Sequence, residues 1–265
     1  MSFDVSADAY GRFMGRWSEP LAERLAERVD IRHGRRALDV GCGPGALTAA
    51  LVPRLGAAAV TAVEPSASFV AAAADRFPDV TVLRAGAEQL PFPDDSFDLA
   101  LAALVVHFMR DPVGGLGEMR RVVVEGGTVA ATVWDEGGGR GPLSPFWRAA
   151  ETLFDDLPGE KVRAGARAGH LVELFVAAGL TDVEDGELDV ARPFATFEEW
   201  WAPMELGVGP AGDFLRSIEA PDARALRKAC RARLPDGPFV LTATAWCVVA
   251  RVTGRRCGTT SPGRR

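Results

Sequence analysis

Lysine and tyrosine are almost missing from this chain: lysine stands only at Lys161 and Lys228, and tyrosine only at Tyr10. Histidine is scarce too, at His33, His107 and His170, which leaves few side chains that titrate near neutrality. Cysteine is confined to Cys42, Cys230, Cys247 and Cys257, with no C-x-x-C pairing and no zinc-like spacing. Neither a disulfide-stapled scaffold nor a metal site is expected from that set. Long apolar runs are lacking as well. The longest, Leu99 to Val106, is far shorter than the roughly 20 residues that span a bilayer. The N-terminus has no basic segment followed by an apolar one, so the expectation is a cytoplasmic protein without membrane insertion. Positive charge is outweighed: 30 Lys and Arg face 36 Asp and Glu, for a net charge of −6. No nucleic-acid partner is expected from that balance, because non-specific binding to phosphates needs clustered cations. A small molecule is the expected partner, and the oligomeric state is left open.

What the chain does have is a glycine loop at the end of an apolar strand, Ala37-Leu38-Asp39-Val40-Gly41-Cys42-Gly43-Pro44-Gly45. Glycine tolerates positive φ and carries no Cβ, so such a loop turns sharply and lets a ligand approach the backbone. The helical stretch Ala46–Leu55 that follows turns its N-terminal amides to the same place. A dinucleotide-binding fold has a similar fingerprint, and Gly41 to Ala46 fits G-x-G-x-x-A, so the loop alone leaves both cofactor classes open. Cys42 within it has no adjacent base and is read as a small residue that fits.

Short apolar runs alternate with helical patterns from this loop onward, the mark of βαβ units around a parallel sheet. Strands are expected at Arg36–Val40, Ala59–Glu64, Val80–Arg84, Phe97–Leu101, Gly127–Trp134, Thr181–Val190 and Phe239–Val252. Helices are expected at Glu19–Val29, Ala46–Leu55, Ser66–Arg76, Val113–Arg121, Phe146–Leu153 and His170–Ala178. Ser66 and Asp111-Pro112 are the expected helix starts. The expected organisation is one α/β domain over residues 1–253. Its core spans about 30–135, helical lid insertions fall at about 136–169 and 192–237, and a disordered tail runs over 254–265.

Ligands of open α/β sheets sit beyond the C-terminal strand ends. Asp39 and the loop end the first strand, Glu64 the second, Ala87-Glu88 follow the third, and Leu104 to His107 follow the fourth. Glu64 lies where an acid would accept hydrogen bonds from ribose hydroxyls. Asp39 would repel a pyrophosphate but suits a cationic aminoacyl ligand. With Val63-Glu64-Pro65-Ser66, Ala87-Glu88-Gln89-Leu90-Pro91-Phe92, Asp95-Ser96-Phe97-Asp98, Glu118-Met119-Arg120-Arg121-Val122 and Gly126-Gly127 in that order, the chain resembles the class I S-adenosylmethionine-dependent methyltransferases, type 11 methyltransferase domain. The resemblance covers about residues 10–135.

This resemblance implies a Rossmann-like, doubly wound, mostly parallel seven-stranded sheet with its last strand antiparallel. It implies S-adenosyl-L-methionine as cofactor, S-adenosyl-L-homocysteine as product and a small organic methyl acceptor. Gly41 and Gly43 would lie against the methionine part, Asp39 near its amino group, Glu64 on the ribose, Ala87 and Glu88 beside the adenine, and Leu104 near the methionine end, with Cys42, Gly45 and Pro65 also at the cofactor. Two departures stand out. Gly86 replaces an acidic residue that commonly precedes Ala-Glu, leaving the adenine amine to Glu88 or to nothing. Val124-Glu125 replaces a basic-Pro pair and is expected to alter only a surface turn.

His107 is the best-placed catalytic base in the sequence, with packing against cofactor or lid as the competing reading. Tyr10 and Arg16 are candidates for the methionine carboxylate if the N-terminal segment folds over the cofactor. His107, Trp134, Asp135, Trp147 and Trp201 are candidate walls of the acceptor pocket, although aromatics at helical spacing also build cores. The expected activity is in-line methyl transfer, and the alternative is a non-catalytic protein that binds or senses the same cofactor.

Overall fold

The computed structural model describes residues 14–29, 31–155, 157, 163–207 and 209–254. Seven strands form one sheet: β1 (Ala37–Val40), β2 (Val60–Glu64), β3 (Thr81–Arg84), β4 (Phe97–Ala103), β5 (Val123–Trp134), β6 (Thr181–Phe194) and β7 (Phe239–Arg251). Their order is β3-β2-β1-β4-β5-β7-β6. The first five pair in parallel, whereas β7 runs antiparallel to both β5 and β6, as expected of the last strand. Strand order reverses between β1 and β4, which opens a crevice at their C-terminal ends.

Helices close both faces. On one side lie α1 (Arg16–Arg28), α2 (Ala46–Leu55) and α3 (Ala67–Arg76). Trp17, Leu21 and Leu25 recur every four residues along α1 and bury one helical stripe. Leu25 shares a core with Leu47 and Leu51 of α2. On the opposite face, α4 (Pro112–Val122) and α6 (His170–Ala177) bury Leu116, Met119 and Phe175 against Val40, Ala100 and Val129. Full burial of one such side chain stabilises by about 1.5–3 kcal/mol. Asp111 starts α4 as expected: its Oδ1 accepts from the Gly114 amide at 2.9 Å, with Pro112 at the first helical position. Ser66 precedes α3, but its hydroxyl pairs with Ser68 Oγ at 2.9 Å and makes no cap bond.

Beyond the sheet's C-terminal edge, α5 (Ser144–Ala150), α7 (Phe197–Glu205), α8 (Gly209–Ser217) and α9 (Ala220–Arg231) form an aromatic cap. It includes Phe146, Trp147, Trp200, Trp201 and Phe214. The second expected lid begins too early at 192. Arg192-Pro193-Phe194 continue β6, because they pair in register with Leu241, Val240 and Phe239 of β7. Strand β5 also starts earlier than Gly127, at Val123, and α1 begins at Arg16, three residues before the expected start. Among the described residues, no helix is long and apolar enough to cross a membrane.

Candidate functional site

A cavity of about 900 Å³ opens at the crevice between β1 and β4. Its floor is the glycine loop. Gly41 and Gly43 adopt φ of 71° and 54°, and the Gly41 and Cys42 amides both donate to the Val63 carbonyl, at 2.8 and 3.0 Å. A Cβ on Gly41 would lie 2.5 Å from Val105 Cγ1, so the residue type is dictated by the close approach of the segment after β4. Gly45 serves the fold differently. It stands outside the cavity lining, and a Cβ there would meet the Phe77 ring at 2.5 Å.

Of the carboxylates that line this cavity, Asp39 and Glu64 are buried. Asp39 Oδ2 accepts from the Thr48 hydroxyl at 2.6 Å. Burial pushes the Asp39 carboxyl up to about 7, the Thr48 hydrogen bonds oppose the shift, and the neighbouring Glu64 adds to it. Glu64 accepts from the Ser66 amide through Oε1 at 2.8 Å and from the Gly43 amide through Oε2 at 3.1 Å. Burial raises its carboxyl too, against the pull of those two amides. Each Glu64 oxygen keeps a further lone pair for a hydroxyl donor. The Cys42 thiol is pushed upward by burial and by the charges of Asp39 and Glu64, which makes it inert as a nucleophile.

Other cavity-lining residues come from the third and fourth strand ends. Ala87, Glu88, Leu104, Val105, His107 and Met109 are among them. Leu104 holds φ at 63°, a left-handed value that is unusual for a branched side chain and that aims the chain into the site. Its amide donates to Thr132 O at 2.9 Å, tying β4 to β5 at that point. Glu88 Oε1 accepts from the Arg110 amide at 2.9 Å, while its Oε2 lies 3.2 Å from where a Cβ on Gly86 would stand. The carboxylate therefore fills the place left by the missing side chain at 86. His107 lines the cavity with its ring 3.9 Å from Phe108, and its Nδ1 is sequestered without a hydrogen-bond partner. Burial pulls its pKa down to about 3, and Arg163 contributes in the same direction, so the imidazole is neutral at physiological pH.

Other candidates lie elsewhere. Tyr10 is outside the described residues. Arg16 pairs with Glu199 at 3.2 Å and lines a separate groove with Glu19, Arg76 and Arg192. Asp135 is committed to structure: it accepts from Arg140 Nε at 2.6 Å, the Gly138 amide at 2.8 Å and Trp246 Nε1 at 3.1 Å. Trp201 spends its Nε1 on Glu205 at 2.6 Å. Trp134 and Trp147 lie in the aromatic cap, which Leu104 joins to the cavity. Phe69 and Arg163 also line the cavity and Thr48 holds Asp39, three residues that the sequence did not single out. Thr48 was foreshadowed only by its place in the first turn of the helix after the loop, and Phe69 by standing three residues beyond Ser66. Arg163 carried no local signal, because only the fold brings it to the cavity.

The fit to S-adenosylmethionine follows from this inventory. Paired buried carboxylates suit a ligand with ammonium and hydroxyl donors, the glycines admit it against backbone, and the volume lies within the usual range of about 300–1,000 Å³. Residues 38–131 match the methyltransferase domain family. The chain is 31% identical over 178 residues to 2-methyl-6-phytyl-1,4-hydroquinone methyltransferase 2, chloroplastic, of Oryza sativa subsp. japonica, covering 64% of this chain and 46% of that protein. It is 28% identical over 165 residues to aklanonic acid methyltransferase DauC of Streptomyces sp. (strain C5), covering 60% and 69%. It spans about half the length of curated relatives such as the hydroquinone methyltransferases. Among solved structures, the YcgJ protein from Bacillus subtilis aligns with a TM-score of 0.57 at 19% identity, over 89% of this chain and 98% of that one. Phosphoethanolamine N-methyltransferase 2 of Haemonchus contortus, solved in complex with S-adenosyl-L-methionine, aligns with a TM-score of 0.59 at 17% identity, over 94% and 57%. Residues 38–131 therefore match the methyltransferase domain that the motifs resemble, and the sheet around them has the fold of the class I S-adenosylmethionine-dependent methyltransferases.

Proposed function

We propose that this chain transfers a methyl group in line from S-adenosylmethionine to a small organic acceptor. The observation that carries the reading is the pair of buried carboxylates, Asp39 and Glu64, facing one glycine-floored cavity and held by hydroxyl and amide donors alone. When bound, S-adenosylmethionine supplies an electrophilic methyl group on a sulfonium centre and leaves as S-adenosylhomocysteine. Asp39 would hold the ammonium group and Glu64 the ribose hydroxyls through its free lone pairs. Glu88, standing in for the side chain absent at Gly86, would meet the adenine amine. Leu104 would set the position of the reacting end, and the aromatic cap would exclude water, so that positioning supplies much of the acceleration. We assign His107 to orienting the acceptor, because a histidine so weakly basic is a poor proton acceptor near neutrality.

Calorimetric titration with S-adenosylmethionine and S-adenosylhomocysteine tests the cofactor; absence of binding by both overturns the reading. The weak basicity of His107 is also what favours a second reading, a non-catalytic protein that binds the same cofactor. Turnover separates the two. His107→Ala is expected to slow methyl transfer about tenfold or more while leaving cofactor affinity within twofold, and tight binding without product from any acceptor favours the sensor.

A further inference from the structure

The groove of about 570 Å³ that lies apart from the cofactor cavity holds charge that the fold leaves unbalanced. Three arginines reach it from separate elements: Arg16 on α1, Arg76 at the end of α3 and Arg192 on β6. Its own carboxylates are committed, Glu19 to Arg76 at 2.9 Å and Glu23 to Arg54 at 2.8 Å. Glu199 serves both remaining cations. Its Oε1 lies 3.2 Å from Arg16 and 3.7 Å from Arg192, while its Oε2 accepts from the Ala195 amide at 2.8 Å. Two guanidinium groups thus share one carboxylate, and the longer contact is beyond hydrogen-bond reach.

Arg192 bears the deficit. Its Nε is buried without a hydrogen-bond partner, and burial together with the Arg16 charge pulls its pKa below the usual arginine range, against the pull of Glu199. The guanidinium sits 5.4 Å over the Phe194 ring, a contact that supplies no acceptor oxygen. Arg16, Arg192 and Glu199 also line one narrow void beside Trp17, so the two cations meet at a common space.

The charge balance indicates the kind of ligand. Glu19, Glu23 and Glu199 offset all but one of Arg16, Arg54, Arg76 and Arg192. One carboxylate neutralises that excess and matches the paired N–H groups of a guanidinium, whereas a dianionic phosphate would add repulsion against three glutamates. Pro20, Ala46 and Ala49 give the groove an apolar wall for the rest of such a molecule.

We propose that this groove is a second ligand site, which takes a small organic monocarboxylate with its charged end between Arg16 and Arg192 and its apolar body against Pro20, Ala46 and Ala49. The groove does so whether or not the chain transfers methyl groups. It adjoins the donor site, since Ala46 lines both spaces and Arg76 donates to the Pro44 carbonyl of the glycine loop at 3.5 Å.

The full chain, isotopically labelled in nitrogen, is titrated at constant ionic strength with hexanoate and with hexanamide, its uncharged counterpart. Arginine Nε–H resonances are followed, and the Arg192 signal is assigned by its loss in Arg192→Gln. Hexanoate is expected to shift that signal saturably and to bind about tenfold or more tightly than hexanamide. Arg16→Gln and Arg192→Gln should each weaken hexanoate binding about fivefold or more, read from the ligand's own resonances. Saturation with S-adenosylhomocysteine, which carries a carboxylate of its own, should leave hexanoate affinity within about twofold. No saturable shift, equal binding of acid and amide, or undiminished binding by both variants overturns the inference. Competition by S-adenosylhomocysteine overturns it too, because the groove would then hold the donor's carboxylate, and tighter binding of inorganic phosphate than of hexanoate overturns the assignment to a monocarboxylate.

Discussion

Asp39 and Glu64 differ in how their partners hold them, and the difference is measurable. Asp39 is pushed up from 3.8 to about 7 in the folded chain, so between those values the native state binds more protons than the unfolded one. Its contribution to stability is then full below about pH 4 and lost as pH rises through about 7. Asp39→Asn is expected to flatten the part of the thermal-denaturation profile that falls over this window; an unchanged slope would exclude the carboxyl as its source. A cation bound beside Asp39 favours the ionised form, so S-adenosylmethionine should bind more tightly at pH 8 than at pH 6 and release a proton on binding. Titration in two buffers of different ionisation enthalpy reads that proton directly. For Glu64, which keeps lone pairs free beyond its two amide bonds, Glu64→Ala is expected to weaken cofactor binding by about 1–3 kcal/mol. An unaltered dissociation constant would take it out of the site. Both acids were legible in the sequence from their places at strand ends. The basicity of His107 was not, because it depends on burial and on Arg163, which lies 56 positions further along.

At the scale of elements, the site depends on how the strands of the parallel half end. The glycine loop, the Glu64 corner and the Leu104 turn all occur where a short apolar strand stops, and a short apolar run followed by glycine or proline marks the first two of these stops in the sequence. For that reason the first five strands and the helices between them were readable to within a few residues. The α4 start was readable for a related reason, since Asp-Pro carries both a cap and a fixed φ. Asp111→Ala should cost about 1 kcal/mol and lower the melting temperature by a few degrees; no loss would mean that Pro112 alone sets the start of α4. The second half was harder to read. Strand β6 reads Thr181 to Phe194 with charges at most outward positions and a proline near its end, and only its long pairing with β7 makes it a strand. Edge strands tolerate such residues, whereas a central strand would not. The same pairing turned Arg192-Pro193-Phe194 from expected lid into sheet.

For the whole molecule, the residues assigned to the donor and those of the aromatic cap occupy different stretches of chain. Asp39 to Asp111 supply most of the cavity lining, and the aromatic cap is built mainly from residues after Trp134. Phe146→Ala, which empties a fully buried ring site in the cap, should destabilise by about 3–5 kcal/mol. At low temperature, where the variant stays folded, S-adenosylhomocysteine affinity is expected to remain within twofold of the parent, and a large loss would show that cap and cavity are not separable. The sheet itself enforces this partition. Strands β6 and β7, of 14 and 13 residues beside a four-residue β1, project past the sheet's working edge as a ribbon, and the cap helices α7, α8 and α9 lie between them in the chain. An insertion or exchange of sequence within that ribbon can rewrite the cap without shifting a residue of the glycine loop. If the proposed activity holds, the fold lets inheritance edit the acceptor while the donor site is copied unchanged, and the stretch that matches the family, residues 38–131, ends just short of the strand tip where that freedom begins.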